Sequence, residues 1–369
     1  MTPTIRVGLL LPVWCCGGLE RYHLALAKYT SLAIHWAGCV LTDKAPTLQP
    51  QIDELAALMP VYGTMQLADA GLNAMERIVR YATEREALAR VLPECDVLLT
   101  WGIRNLSILD SFDRPVVLIS HGACDWTAGI LHVAAERATH YAAVSEAAAR
   151  SFPREAQTDV QILPAGIDLD RITPQGDREL CRRLIGVAPD HKLVGFVGRF
   201  SPEKNPYRAA DIVGQLGAPY VAVMHGAAVV GDQDCRSEAL RRANGRVLFC
   251  NRTWNTGTVY NALDCLIQAS PSEGGPLVAL ESWCAGVPMI STDVGVIRDD
   301  RTHIKNITTV LPVKAPLSDW ITATEEACRP ERREQCQQSI PAMRARYGAE
   351  TMAARWETWI QNIFRRSNR

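Results

Sequence analysis

Short apolar, β-rich runs alternate with longer helical patterns along this chain, and they do so in two sets. The first set is Arg6–Pro12, Ala37–Thr42, Val97–Trp101, Pro115–Ser120 and His140–Val144. The second is Lys192–Val197, Tyr220–His225, Arg246–Phe249, Cys265–Ala269 and Pro288–Ser291. Nearly continuous apolar strands separated by helices are what a parallel sheet covered on both faces requires. Two sets predict an α/β protein of two doubly wound, Rossmann-like domains. A chain of 369 residues suits that division, being too long for one ordinary core.

The boundary is expected near Leu163–Pro174, where Leu-Pro-Ala-Gly-Ile-Asp precedes a polar stretch containing proline and glycine. This gives a first domain over 1–170 and a second over 171–340. In the tail, Tyr347, Met352, Trp356, Trp359, Ile360 and Ile363 recur at helical spacing. So apolar a helix must dock, and residues 341–369 are expected to pack back onto the first domain. The Ala/Glu/Arg-rich stretch Met75–Leu92 reads as a solvated helix.

No apolar run approaches the ~20 residues of a membrane span, and no signal peptide is evident. The twelve cysteines are scattered, without Cys-x-x-Cys or zinc spacing, as expected of reduced core thiols in a cytoplasmic protein. Cys15 and Cys16 stand apart because they adjoin a glycine loop. Net charge is −1, which gives no bulk attraction to nucleic acid. Residues 1–170 carry a balance of −6 and residues 171–369 one of +5. A basic second half suits an anionic ligand such as a nucleotide, and equally suits ordinary surface variation.

Four segments carry possible chemistry. Trp14-Cys-Cys-Gly-Gly-Leu-Glu-Arg21 follows a buried strand and opens an amphipathic helix. Gly17 and Gly18 there would let backbone approach a phosphate or sugar, although a glycine turn between strand and helix is common. Gly198-Arg-Phe-Ser-Pro-Glu-Lys-Asn205 directly follows the strand Lys192–Val197, at the strand end where open α/β sheets bind ligands. Arg199 could fork across phosphate oxygens with Lys204 as a point charge. The alternative is a solvated loop with a Glu203–Lys204 surface pair.

Glu-Gly-Gly-Pro-Leu-Val-Ala-Leu-Glu runs from Glu273 to Glu281, and this spacing can set two acids at different depths along one helix face. Pro276 suits the first helical position, and the N–H groups after it favour an anion. Alternatively, Glu273 merely faces a positive helix end. Last, His121 stands beside glycine in Ser120-His-Gly-Ala-Cys124, at a strand end where a lone histidine is more often structural. Asp168-Leu-Asp170 and Asp232-Gln-Asp234 have the letters of a metal motif, but their polar settings favour turn chemistry.

In this order, the segments resemble the retaining glycosyltransferases of family 4 (glycosyl transferases group 1), with the two-domain GT-B architecture facing a central cleft. The resemblance runs from the Gly-Gly loop through Ser145-Glu146, Pro-Ala-Gly-Ile-Asp168 and Gly-Arg-x-x-x-Glu-Lys-Asn205. It ends with the Glu273/Glu281 segment and Ala-Gly-Val-Pro-Met-Ile-Ser-Thr292. It implies that Arg199 and Lys204 hold the donor diphosphate, that Glu273 faces the donor sugar, and that Glu281 holds the ribose. Gly274, Gly275, Pro276 and Leu277 would turn around sugar and phosphates, Gly17 and Gly18 would close over the phosphates, and His121 would sit near the sugar. Two departures touch the hinge and base-binding wall: Pro-Ala-Gly stands where the family usually has Asn-Gly, and the strand before Gly226 lacks the usual Gly-x-Gly ending.

The implied reaction moves a hexose from a UDP- or GDP-sugar to an acceptor hydroxyl with retention, by front-face displacement. No cofactor and no metal are expected, since the two cations would neutralise the leaving group. The acceptor would be a glycan, a lipid or a small molecule, with membrane contact at most peripheral. Two other classes remain: a nucleotide-sugar epimerase on the same architecture, and a non-catalytic nucleotide-sugar-binding protein.

Overall fold

The computed structural model describes residues 4–11, 17–41, 49–64, 78–81, 84–103, 106–226, 235–250 and 255–367. They form two compact units. The first comprises Met1–Gly166, Glu273–Gly275 and Ala349–Arg369, and the second Ile167–Ser272 and Pro276–Gly348. The division therefore falls slightly before residue 170.

The first unit holds a parallel sheet of eight described strands: β1 (Ile5–Leu11), β2 (Ile34–Leu41), β3 (Val61–Thr64), β4 (Ile78–Tyr81), β5 (Val97–Thr100), β6 (Val116–Ser120), β7 (His140–Ala143) and β8 (Val160–Ile162). Their order is β4-β3-β2-β1-β5-β6-β7-β8, so the winding reverses between β1 and β5. Val7, Leu9, Leu10, Val97, Leu98 and Val117 are fully buried, as helices on both faces demand. One expectation fails here. Ile78–Tyr81, inside the stretch read as a solvated helix, is a strand paired in parallel with β3, and a helix follows only at Glu84–Val91.

The second unit holds β9 (Lys192–Val197), β10 (Tyr220–His225), β11 (Val247–Cys250), β12 (Cys265–Gln268), β13 (Met289–Thr292) and β14 (Thr308–Leu311). Their order is β11-β10-β9-β12-β13-β14, all parallel. This is the dinucleotide-fold order 3-2-1-4-5-6, and its switch point, where ligands bind in such sheets, lies between β9 and β12.

The chain ends in two helices. Pro330–Tyr347 belongs to the second unit and runs straight through residue 341. The terminal helix, Ala349–Ser367, belongs to the first. Its apolar stripe of Met352, Ala353, Trp356, Ile360 and Ile363 is buried. Trp356 donates its indole N–H to the Tyr22 hydroxyl at 2.6 Å, and the Ser31 hydroxyl donates to Glu357 at 3.0 Å. The fixed partner for Trp356 matters because a buried indole N–H left unpaired is costly. No described helix is long and apolar enough to cross a membrane. Of the ten described cysteines, nine are buried and Cys124 is exposed.

Candidate functional site

In the second unit, the segment after β9 is a short, well-anchored turn. Phe200 and Ser201 are buried, and Phe200 packs on Phe196 and Phe249. Pro202–Lys204 forms one turn of 3-10 helix, and Asn205 ends it in the left-handed conformation at φ 47°. Asn205 also donates its amide to the Ala269 carbonyl just past β12 at 3.4 Å, tying the loop to the other side of the switch point. Arg199 and Lys204 thus stand on a loop fixed at both ends, each only partly exposed. Arg199 pairs with Glu203. In the alternative reading Glu203 would pair with Lys204 at the surface; here Glu203 pairs with Arg199 four residues earlier.

Pro276 is not the first helical residue. It is the N-cap, at φ −67° and ψ 108°, and the helix runs Leu277–Ala285 with no side-chain cap among the described residues. The first-turn N–H groups therefore lack a side-chain acceptor, and with the helix dipole they favour an anion. Glu281 lies in this helix with only 6% of its surface exposed. Its Oε2 accepts a hydrogen bond from the Tyr260 hydroxyl at 2.8 Å, and its Oε1 lies 3.6 Å from Arg171. Glu273 precedes the helix, so the two acids do not share a helix face; Glu273 to Gly275 group with the first unit and Glu281 with the second.

In the first unit, Gly274 lies against the main chain at His121. A Cβ on Gly274 would fall 2.7 Å from the His121 carbonyl carbon and 3.0 Å from Gly122 Cα, closer than atoms approach. The structure therefore brings His121 and the turn after Glu273 together. Gly17 is the N-cap of the helix Gly18–Tyr29, in extended backbone at φ −164°. Among the described residues, a Cβ there would meet only Glu20 Oε2, at 3.4 Å.

His121 follows β6. Its ring meets Tyr22 edge-on at 4.6 Å and His23 at 5.2 Å between centroids. Part of the residue is exposed, but its Nε2 is buried and has no partner among the described residues, as have both ring nitrogens of His23. Burial pushes the His121 imidazole down to about 3. Burial, with the neighbouring His121, holds His23 well below the usual histidine range. Both rings are neutral at neutral pH, so His121 offers a neutral hydrogen-bonding group.

Sequence reasoning passed over His23, Tyr22, Tyr260 and Arg171. His23 left one signal, a polar residue on the apolar face of an amphipathic helix. Asp168 accepts from the Asp170 N–H at 3.2 Å and caps a 3-10 turn, which is turn chemistry. Asp232-Gln-Asp234 lies outside the described residues, as do Trp14, Cys15 and Cys16. No cluster of three or more metal-type side chains occurs among the described residues.

Residues 177–310 match the family model of glycosyl transferases group 1. A D-inositol 3-phosphate glycosyltransferase of Actinosynnema mirum is 32% identical over 182 residues, which is 44% of this chain and 42% of that protein. The chain thus spans less than half the length of this curated relative. Among solved structures, Anabaena HepE in complex with UDP-glucose aligns over 97% of this chain and 100% of its own, with a TM-score of 0.76 at 16% identity. Sucrose-phosphate synthase from Thermosynechococcus elongatus aligns over 97% and 99%, with a TM-score of 0.71 at 16% identity. At such identities the structural likeness establishes the two-domain GT-B fold, and the family match falls on the second unit. The likeness to the glycosyl transferases group 1 model is thus confined to residues 177–310 of this chain.

Proposed function

We propose that the chain is a retaining glycosyltransferase that moves a hexose from a UDP- or GDP-sugar to an acceptor hydroxyl, without a metal or cofactor. The observation that carries this reading is the pairing of two anion-binding devices at one switch point. The Arg199/Lys204 loop follows β9, and the uncapped helix Leu277–Ala285 follows β12, its strand neighbour. A diphosphate is the ligand that uses both. The crystallisation of HepE with UDP-glucose supports a nucleotide-sugar donor on this fold.

In the proposed step, the bond from the sugar C1 to the diphosphate oxygen breaks while the acceptor oxygen bonds to C1 on the same face. The leaving phosphate takes the acceptor proton. Arg199 and Lys204 stabilise the charge that grows on the diphosphate, where preorganised electrostatics lower the barrier most. Glu273 faces the cationic sugar, neutral His121 meets a sugar hydroxyl, and Glu281 binds the ribose. Gly274, Gly275, Pro276 and Leu277 shape the turn around sugar and phosphates, with Gly17 and Gly18 over the phosphates. The acceptor is a hydroxyl of a glycan, lipid or small molecule.

Arg199→Ala and Lys204→Ala are each expected to lower transfer by at least about 10²-fold, the worth of one preorganised charge contact, with the melting temperature unchanged. Full activity in both variants would contradict the proposal. Donor incubated alone should yield no epimer.

A further inference from the structure

Glu281 has a built surrounding that the proposed ribose contact does not explain. Its carboxylate is almost wholly inside the second unit, and a buried carboxylate is costly unless it is paired and hydrogen-bonded. Two residues from different segments meet that need. Tyr260, fully buried on the helix Thr256–Ala262, donates to Oε2 at 2.8 Å. Arg171, on the 3-10 turn Leu169–Ile172, stands 3.6 Å from Oε1, within ion-pair range but beyond a direct hydrogen bond.

The seating of Tyr260 is tight. Gly257, one turn earlier on its helix, lies against the chain just after Arg171: a Cβ there would fall 2.6 Å from the Thr173 carbonyl carbon. Burial, with the neighbouring Glu281, also holds the phenol of Tyr260 well above its ordinary range, so it remains a donor at every working pH.

The consequence is an asymmetric carboxylate. One lone pair of Oε2 is taken and fixes the plane of the group. Oε1 keeps its lone pairs for an incoming donor, with Arg171 beside it as counter-charge. A vicinal diol presents two hydroxyl donors at a fixed spacing and suits an acceptor held in one plane, whereas a ring lacking those hydroxyls would leave buried acceptor capacity unused. We infer that Tyr260 is a positioning residue for Glu281 and, with Arg171, sets the preference of the donor site for a ribose bearing both hydroxyls. This rests on the reading of Glu281 as the ribose-binding group.

The test is the ratio of affinities for UDP and for 2′,3′-dideoxy-UDP, and likewise for GDP and its dideoxy counterpart. It is measured by calorimetry on the full chain as wild type, Glu281→Gln and Tyr260→Phe. The wild type is expected to prefer the ribonucleotide. Glu281→Gln should remove most of that preference. Tyr260→Phe should cut it by about tenfold, the worth of one hydrogen bond to a charged group, by weakening the ribonucleotide while leaving the dideoxy affinity unchanged.

A Tyr260→Phe ratio equal to wild type, with Glu281→Gln collapsed, overturns the inference and leaves the ribose role of Glu281 standing. Equal weakening of both nucleotides means a structural role only and overturns it as well. A wild type without preference, or one that binds neither nucleotide, overturns the ribose reading and this inference together. If Tyr260→Phe does not fold, Arg171→Gln reads the same ratio, which should narrow in the same direction; an unchanged ratio there is again contrary.

Discussion

The Gly274 backbone lies on the main chain of His121 so closely that a Cβ would come 2.7 Å from its carbonyl carbon. The fit joins the start of the Glu273–Glu281 segment to a residue at the end of β6, far earlier in the chain. Gly274→Ala must displace one of these two strand-end segments. We expect loss of about 10²-fold in transfer, as for an ångström-scale misplacement of a reacting group. The stability cost should be about 1–3 kcal/mol, in the range of overpacked cores. Gly275→Ala should be milder, because its Cβ would meet the Val144 side chain at 3.0 Å, and a side chain yields more readily than backbone. Activity and denaturant midpoints of the two variants check the order.

The neutral pair His23 and His121 predicts a specific pH dependence of stability. In the unfolded chain each imidazole takes up a proton below about pH 6.5. In the folded protein both stay neutral, His121 until about 3. The unfolded state then binds more protons, so stability is complete above about pH 6.5 and falls as pH drops towards 3. His23→Phe removes one titrating group and should flatten this slope. Melting temperatures from pH 7.5 to 4 measure it, and a slope identical to wild type would mean that His23 is already protonated in the folded state.

Docking of the terminal helix is predicted to hold the first unit together. Trp356 is fully buried, donates to Tyr22, and meets Trp359 at 5.5 Å between ring centroids. Trp356→Ala should destabilise the protein by about 3–5 kcal/mol, as other buried aromatic truncations do. Tyr22→Phe should cost about 1–3 kcal/mol, since it leaves the indole N–H buried and unpaired. Denaturant unfolding of both variants checks the ranking, and a Trp356→Ala cost below about 1 kcal/mol would mean the helix adds little.

The legible parts of this fold are those in which local pattern and tertiary role agree. Val97–Thr100 and Val116–Ser120 are wholly buried central strands, apolar but for their last residue, and sequence shows them as such. Ile78–Tyr81 was hidden because a four-residue strand with Arg80 in its middle sits in an Ala/Glu/Arg-rich context that imitates a helix. Thr308–Leu311 and Val160–Ile162 are short edge strands with too few apolar residues to stand out.

The same divide runs through the candidate site. Arg199, Lys204, Glu273 and Glu281 could be proposed from sequence because each stands in a compact motif near a strand. Tyr260 and Arg171 carry no local signal: their significance comes from meeting Glu281, which lies 21 residues beyond Tyr260 and much further from Arg171. The asymmetry of the Glu281 carboxylate is a tertiary fact that no spacing rule contains.

In the proposed function, Arg199, Lys204 and the helix Leu277–Ala285 together bind the diphosphate of a sugar nucleotide. The most direct measurement is the thermal shift of wild type and Lys204→Ala with a panel of UDP- and GDP-sugars. A ligand of the folded state at a hundred times its Kd adds about 2.7 kcal/mol of stability. The wild type is expected to show a clear rise in melting temperature with at least one sugar nucleotide, lost in Lys204→Ala while the unliganded melting temperatures agree. No shift with any sugar nucleotide, or the same shift in both proteins, would contradict it.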